Sequence, residues 1–128
     1  MSVGEIFAAH GEQRFRALER EATERVASSA SPMVIAPGGG WITVPGMVAL
    51  LRPPARLVWL RISPVGALRR LGPDVTSRPL LAGADPLGAL TALVAAREAL
   101  YLQADHTLSV DSMTLDEVVR AILPLARP

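Results

Sequence analysis

The chain has 128 residues, half of them hydrophobic, and 13 basic against 12 acidic side chains leave a formal charge of +1. That is the length of one domain, able to bury about two-thirds of its unfolded surface, and its near-neutral balance and 4% aromatic content point away from nucleic acid. Cysteine and lysine are both absent, all 13 basic residues being arginine, which excludes disulfides, thiolate metal sites, Schiff-base chemistry and any phosphate-binding loop of the GxxxxGK[ST] type. The N-terminus Met1-Ser2-Val3-Gly4-Glu5 lacks the basic start and apolar run of a signal peptide. Its Ser2 and Glu5 have the spacing of a capping box, which predicts a helix starting at residue 3. Ile6, Phe7, Phe15, Leu18, Ala22 and Val26 recur on one face of that helix, and Gly11 predicts a bend or break. Met33 to Ala36, bounded by Ser-Pro and Pro-Gly-Gly-Gly, reads as a short buried strand entering a tight loop. Pro45 to Arg52 reads as a short helix with proline in its first turn.

Leu57 to Ile62 is the clearest strand, and Ser63-Pro64 caps a helix that follows it to about Arg70. Residues 71–84, punctuated by Gly, Pro and Asp, read as a mobile surface loop. Asp85-Pro86 opens a helix to about Leu102, and Thr107 to Val110 is a third short strand. Thr114 and Glu117 form a second capping box, opening a last helix that Pro124 ends or kinks. Strands alternating with helices predict an α/β fold with a parallel sheet, although three strands are few for one. Proline and charge interrupt every apolar stretch before membrane-spanning length, so a cytoplasmic protein with no membrane partner is expected.

Four patterns in order resemble the shikimate kinase family across essentially the whole chain. They are Gly4-Glu5-Ile6-Phe7 with Gly11-Glu12-Gln13-Arg14-Phe15-Arg16-Ala17-Leu18-Glu19; Met33-Val34-Ile35-Ala36 running into Gly38-Gly39-Gly40; Arg78-Pro79-Leu80-Leu81, preceded by Trp59 and Arg69-Arg70; and Arg97-Glu98-Ala99-Leu100-Tyr101 ahead of Ala104-Asp105 and Val110-Asp111-Ser112. The resemblance implies ATP-dependent phosphorylation of the shikimate 3-hydroxyl, a step in chorismate and aromatic amino acid biosynthesis. It also implies a P-loop kinase-like fold of the nucleoside monophosphate kinase type, with a parallel sheet, flanking helices and a lid. Residues 1–30 would be the substrate-binding helices and 71–84 the lid of a single partial domain. A gluconate kinase of similar fold is the neighbouring reading, with a different acceptor.

By that resemblance Arg16 and Arg97 grip the substrate carboxylate, as arginine does with two parallel hydrogen bonds. From spacing alone Arg16 is also an ordinary charge on an amphipathic helix, and Glu19, three residues on, shares its face and orients it. Gly38, Gly39 and Gly40 would let backbone amides approach the substrate; Pro37 stands where the family usually has a small residue, often threonine. Arg78 would close with the lid onto the ATP phosphates as the catalytic charge, with Arg70 a weaker candidate. Asp111 falls in the segment that lies against adenine. His10 and His106 have no partner at metal or triad spacing and receive no role.

The resemblance further implies that a strand, the phosphate-binding loop, its helix and a second strand precede Met1 in the family. With that unit would go the lysine, the Mg²⁺-holding hydroxyl and the aspartates, so ATP and Mg²⁺ are expected for the complete domain while no metal ligand is identifiable here. The expectation is a start placed inside a longer gene, giving a chain incompetent alone; a non-catalytic relative that binds a small acid or a partner chain is the alternative. Complete, the domain is expected to act as a monomer.

Overall fold

The computed structural model describes residues 2–81 and 83–126. Helix α1 runs Val3–Ala27 and begins at the predicted capping box, with Ser2 Oγ accepting from Glu5 N and the Glu5 carboxylate accepting from Ser2 N. Gly11 interrupts it with φ 81° and ψ 170°, so two helical segments meet at a kink. That backbone region is essentially closed to residues with a Cβ.

Residues 32–38 carry no regular secondary structure, which corrects the expected strand at Met33–Ala36. The apolar residues there face solvent, Val34 at 86% exposure. The physical reason is that a strand exists by pairing: among the described residues no backbone group hydrogen bonds to Met33–Ala36, so no strand forms there. A tight turn at Trp41–Thr43 follows, then helix α2, Met47–Leu51. Its start lies two residues later than Pro45, because Gly46 adopts φ 84° at the cap.

Strand β1 (Val58–Arg61) leads through Ser63 into helix α3 (Pro64–Leu71), where Ser63 Oγ accepts the Gly66 N–H. The expected loop at 71–84 is more ordered than predicted: it holds two tight helical turns, Gly72–Ser77 and Pro79–Leu81, and Leu81 is buried. Ala82 of that span lies outside the described residues. Helix α4 (Pro86–Tyr101) starts on the Asp85 cap, and strand β2 (His106–Ser109) follows. Helix α5 (Leu115–Ile122) has the second capping box, Thr114 with Glu117, and ends in a turn at Leu123–Ala126.

The sheet is parallel, with Val58 opposite His106 and Arg61 opposite Ser109, and among the described residues it has two strands rather than three. The α3–α4 crossover between parallel neighbours follows from the fact that such strands cannot be joined by a hairpin. Asp105 locks the entry to both strands by accepting the Leu57 N–H at 2.7 Å. The core centres on Trp41, Ile42 and Met47, with Leu57, Leu100 and Tyr101 packed against them. It therefore lies directly beneath the glycine run. Among the described residues no helix is long and apolar enough to cross a membrane.

Candidate functional site

The glycine run Gly38–Gly40 is held from below by Trp41. Trp41 N–H donates to the Gly38 carbonyl at 3.0 Å and Thr43 N–H to the Gly40 carbonyl at 3.1 Å, curling the glycines into the following turn. The buried Trp41 indole donates to Thr23 Oγ1 at 2.9 Å, and Thr23 donates to the Glu19 carbonyl at 2.7 Å. Arg16, Glu19 and Thr23 fall at i, i+3 and i+7, one face of α1. The same face that anchors the tryptophan thus presents Arg16 to the glycines.

Arg16 is flanked by two carboxylates: Nη1 donates to Glu19 Oε2 at 2.7 Å and Nη2 to Glu12 Oε1 at 3.2 Å. Its guanidinium lies flat against Gly40, so close that a methyl group placed there would meet Cζ at 2.6 Å. Glu19 Oε1 stands 3.0 Å from the same position on Gly38, and Arg97 Nη1 stands 3.7 Å from it on Gly39. Arg16, Glu19, Arg97 and the three glycines are therefore brought together, although Arg16 and Arg97 come from opposite ends of the chain. Among the described residues no carboxylate pairs with Arg97. A guanidinium without a carboxylate partner, set beside glycine backbone, can hold an anion.

Neither Gly39 nor Gly40 finds an acceptor for its N–H among the described residues. Gly40 is buried, and buried donors are rarely left unpaired. A carboxylate or hydroxyl oxygen would satisfy it.

Arg78, Arg70 and Asp111 lie elsewhere. Arg78 is exposed between the two turns of the 71–84 segment, and among the described residues its guanidinium has no partner. Arg70 Nη2 donates to the Val110 carbonyl at 2.5 Å and to the Met113 carbonyl at 2.9 Å, so it braces the chain after β2. Asp111 accepts the Ser63 hydroxyl at 2.6 Å and the Ser63 N–H at 3.1 Å, and those hydrogen bonds hold its carboxyl below the ordinary aspartate range. A cavity of about 240 Å³ beside it takes in Trp59, Arg61, Ser63, Glu98 and Ser109. It lies beyond the C-terminal ends of both strands, the usual ligand edge of such sheets. A second cavity of about 240 Å³ backs onto Gly38 and is lined by Glu19, Thr23, Ile35 and Trp41. Among the described residues no cluster of His, Asp and Glu is arranged to hold a metal ion.

Sequence reasoning overlooked Thr23, Trp41 and Tyr101. Tyr101, the only tyrosine, donates its hydroxyl to the Gly39 carbonyl at 2.5 Å. The one available signal was its place four residues after Arg97, on the same helical face.

A family model described as shikimate kinase matches residues 1–126. The chain belongs to the shikimate kinase family. The shikimate kinase of Moorella thermoacetica is 43% identical over 122 residues, covering 95% of this chain and 69% of that relative. That of Synechococcus sp. strain RCC307 is 39% identical, covering 95% of this chain and 62% of the relative. A shikimate kinase of Acinetobacter baumannii, solved in complex with shikimate, superposes with a TM-score of 0.89 at 29% identity, over 97% of this chain and 69% of that one. The chain thus spans between three-fifths and seven-tenths of these shikimate kinases. Its two parallel strands with flanking helices are part of the α/β kinase fold of that family.

Proposed function

We propose that this chain carries the acid-binding part of a shikimate kinase, the enzyme type that transfers a phosphoryl group from ATP to the shikimate 3-hydroxyl. One observation carries the reading: Arg16 and Arg97, 81 positions apart, stand at Gly40 and Gly39, neighbouring residues of a single loop. Two guanidiniums and an unpaired amide match a small cyclic acid, whose carboxylate takes charge-assisted hydrogen bonds and whose hydroxyls take neutral ones. Glu12 and Glu19 fix the Arg16 plane and leave one face of it toward Gly40. Arg78 supports a lid role by its exposure: a free guanidinium on a short segment can swing toward phosphate when the segment closes.

The nucleotide half of the reaction has little support among these residues. ATP would supply the phosphoryl group, yet the sequence has no lysine and no GxxxxGK[ST] loop. Arg70 is engaged by two carbonyls and Asp111 by Ser63, and the described residues do not fit Mg²⁺. Acid binding without turnover by this polypeptide is the consistent expectation.

Calorimetry on the purified chain with shikimate and with ATP, separately, tests this. Heat of binding with shikimate, abolished by Arg97→Ala, and none with ATP is the expected result. A folded chain that ignores shikimate would end the acid-site reading.

A further inference from the structure

We propose that Tyr101 is a positioning residue of the acid site, its hydroxyl setting the orientation of the Gly39–Gly40 peptide and so the direction of the Gly40 N–H. Glycine backbone has more freedom than any other, and three in succession after Pro37 do not choose a peptide orientation unaided. The Tyr101 hydroxyl makes that choice by donating to the Gly39 carbonyl at 2.5 Å. In a trans peptide the carbonyl and the following N–H point in opposite directions. Holding the Gly39 carbonyl toward α4 therefore turns the Gly40 N–H the other way. Gly40 is the residue against which the Arg16 guanidinium lies.

The tyrosine can fix this only if its own ring is fixed. Trp59 of β1 stacks on it, with ring centres 5.5 Å apart and planes at 26°. The Arg61 guanidinium covers Trp59 at 5.2 Å and pairs with Glu98 at 3.3 Å. A sheet strand thus fixes the ring, the ring fixes one carbonyl, and the carbonyl fixes one amide. Arg97 stands one turn earlier on the same helix, its Nη1 and the Tyr101 hydroxyl both 3.7 Å from the place a Cβ on Gly39 would take. One helix face therefore sets the guanidinium and the loop peptide relative to each other. The importance of this for an acid ligand rests on the acid-binding reading above; the peptide orientation itself does not.

The test compares the chain with its Tyr101→Phe variant, which keeps the ring on Trp59 and removes only the hydroxyl. In the ligand-free ¹⁵N amide spectrum, the Gly39 and Gly40 signals should shift or broaden in the variant. The Trp41 and Thr43 amides and the Trp59 indole should keep their positions. Glycine signals that stay unchanged overturn the proposal, as does a spectrum-wide change accompanied by loss of the thermal transition. Shikimate titration then reads the consequence: affinity should fall about 5- to 10-fold, the effect of one misdirected hydrogen bond, with the Gly40 amide no longer responding to ligand. Equal affinity in the two proteins overturns the role in the site. If the wild-type chain takes up no shikimate, the acid-site reading fails, and the ligand-free glycine signals alone decide whether Tyr101 orients the peptide.

Discussion

Gly40 and Gly66 are both glycines where a side chain has no room, but what crowds them differs. At Gly40 the obstacle is the Arg16 guanidinium, the far end of a flexible side chain. Gly40→Ala should therefore fold with a nearly unchanged melting temperature and displace Arg16 from the loop. Loss of a charged hydrogen-bonding partner predicts at least about tenfold weaker shikimate binding, read by calorimetry beside a melting curve. At Gly66 an added methyl meets Asp111 Oδ1 at 2.5 Å and the Ile62 and Ser63 side chains at 3.1 Å, so Gly66→Ala should lower stability instead. Asp111 itself makes an acid-sensitive clasp. Its carboxyl titrates below the ordinary value because Ser63 hydrogen bonds to the charged form, so its contribution is complete above about pH 4 and is lost as the pH falls further. Asp111→Asn should melt lower near neutral pH, and the gap to wild type should close on acidification through that window. A gap independent of pH would show that the clasp does not depend on charge. Asp105, lowered mainly by the Leu57 N–H, keeps its own acid sensitivity in that variant.

Helix ends were the most legible elements, because capping is written within three or four residues of sequence. Ser2 with Glu5, Ser63, Asp85 and Thr114 with Glu117 all cap as their spacing predicted, and Gly11 kinks α1 where a glycine interrupted the pattern. The kink carries a prediction: Gly11→Ala forces a Cβ into φ 81°, ψ 170° and should cost about 1–3 kcal/mol, measured by urea unfolding. A milder alternative, straightening of α1, would swing residues 3–10 and leave Arg16 in place, and circular dichroism would then show added helix. Strands β1 and β2 were legible from their composition, but two segments decided by distant contacts were not. Met33–Ala36 has the composition of a buried strand but among the described residues no neighbour pairs with it, so local pattern alone misassigned it. The turns within 71–84 are stabilised by burying Leu81, which no local signal revealed. In the candidate site, the pairing of Arg16 with Glu19 was readable from helical spacing. Thr23, Trp41 and Tyr101 act through contacts 18 and 62 residues away in sequence, which spacing does not encode.

The molecule as a whole exposes more surface than its mass calls for. A compact monomer of this size has about 6,600 Å² accessible, whereas this chain has 8539 Å². The difference, about 2,000 Å², is of the order of a complete protein–protein interface, and its apolar part is not scattered. Met33, Val34 and Ile35 are exposed in succession on the segment before the glycines, and Leu60 is exposed on β1, a strand with a partner on one edge only among the described residues. Unpaired extended backbone with apolar side chains is a template for association with another chain. The 128-residue chain should therefore bind the dye ANS and self-associate as concentration rises, visible as mass growing with loading in sedimentation. Val34→Lys places a charge in the middle of the run, where the side chain already faces solvent. It should raise the soluble fraction and weaken association without altering shikimate affinity, because Val34 is exposed and does not line the cavity behind Gly38. Association that persists undiminished in Val34→Lys would place the sticky surface elsewhere, with the open edge of β1 next to be tested by Leu60→Lys.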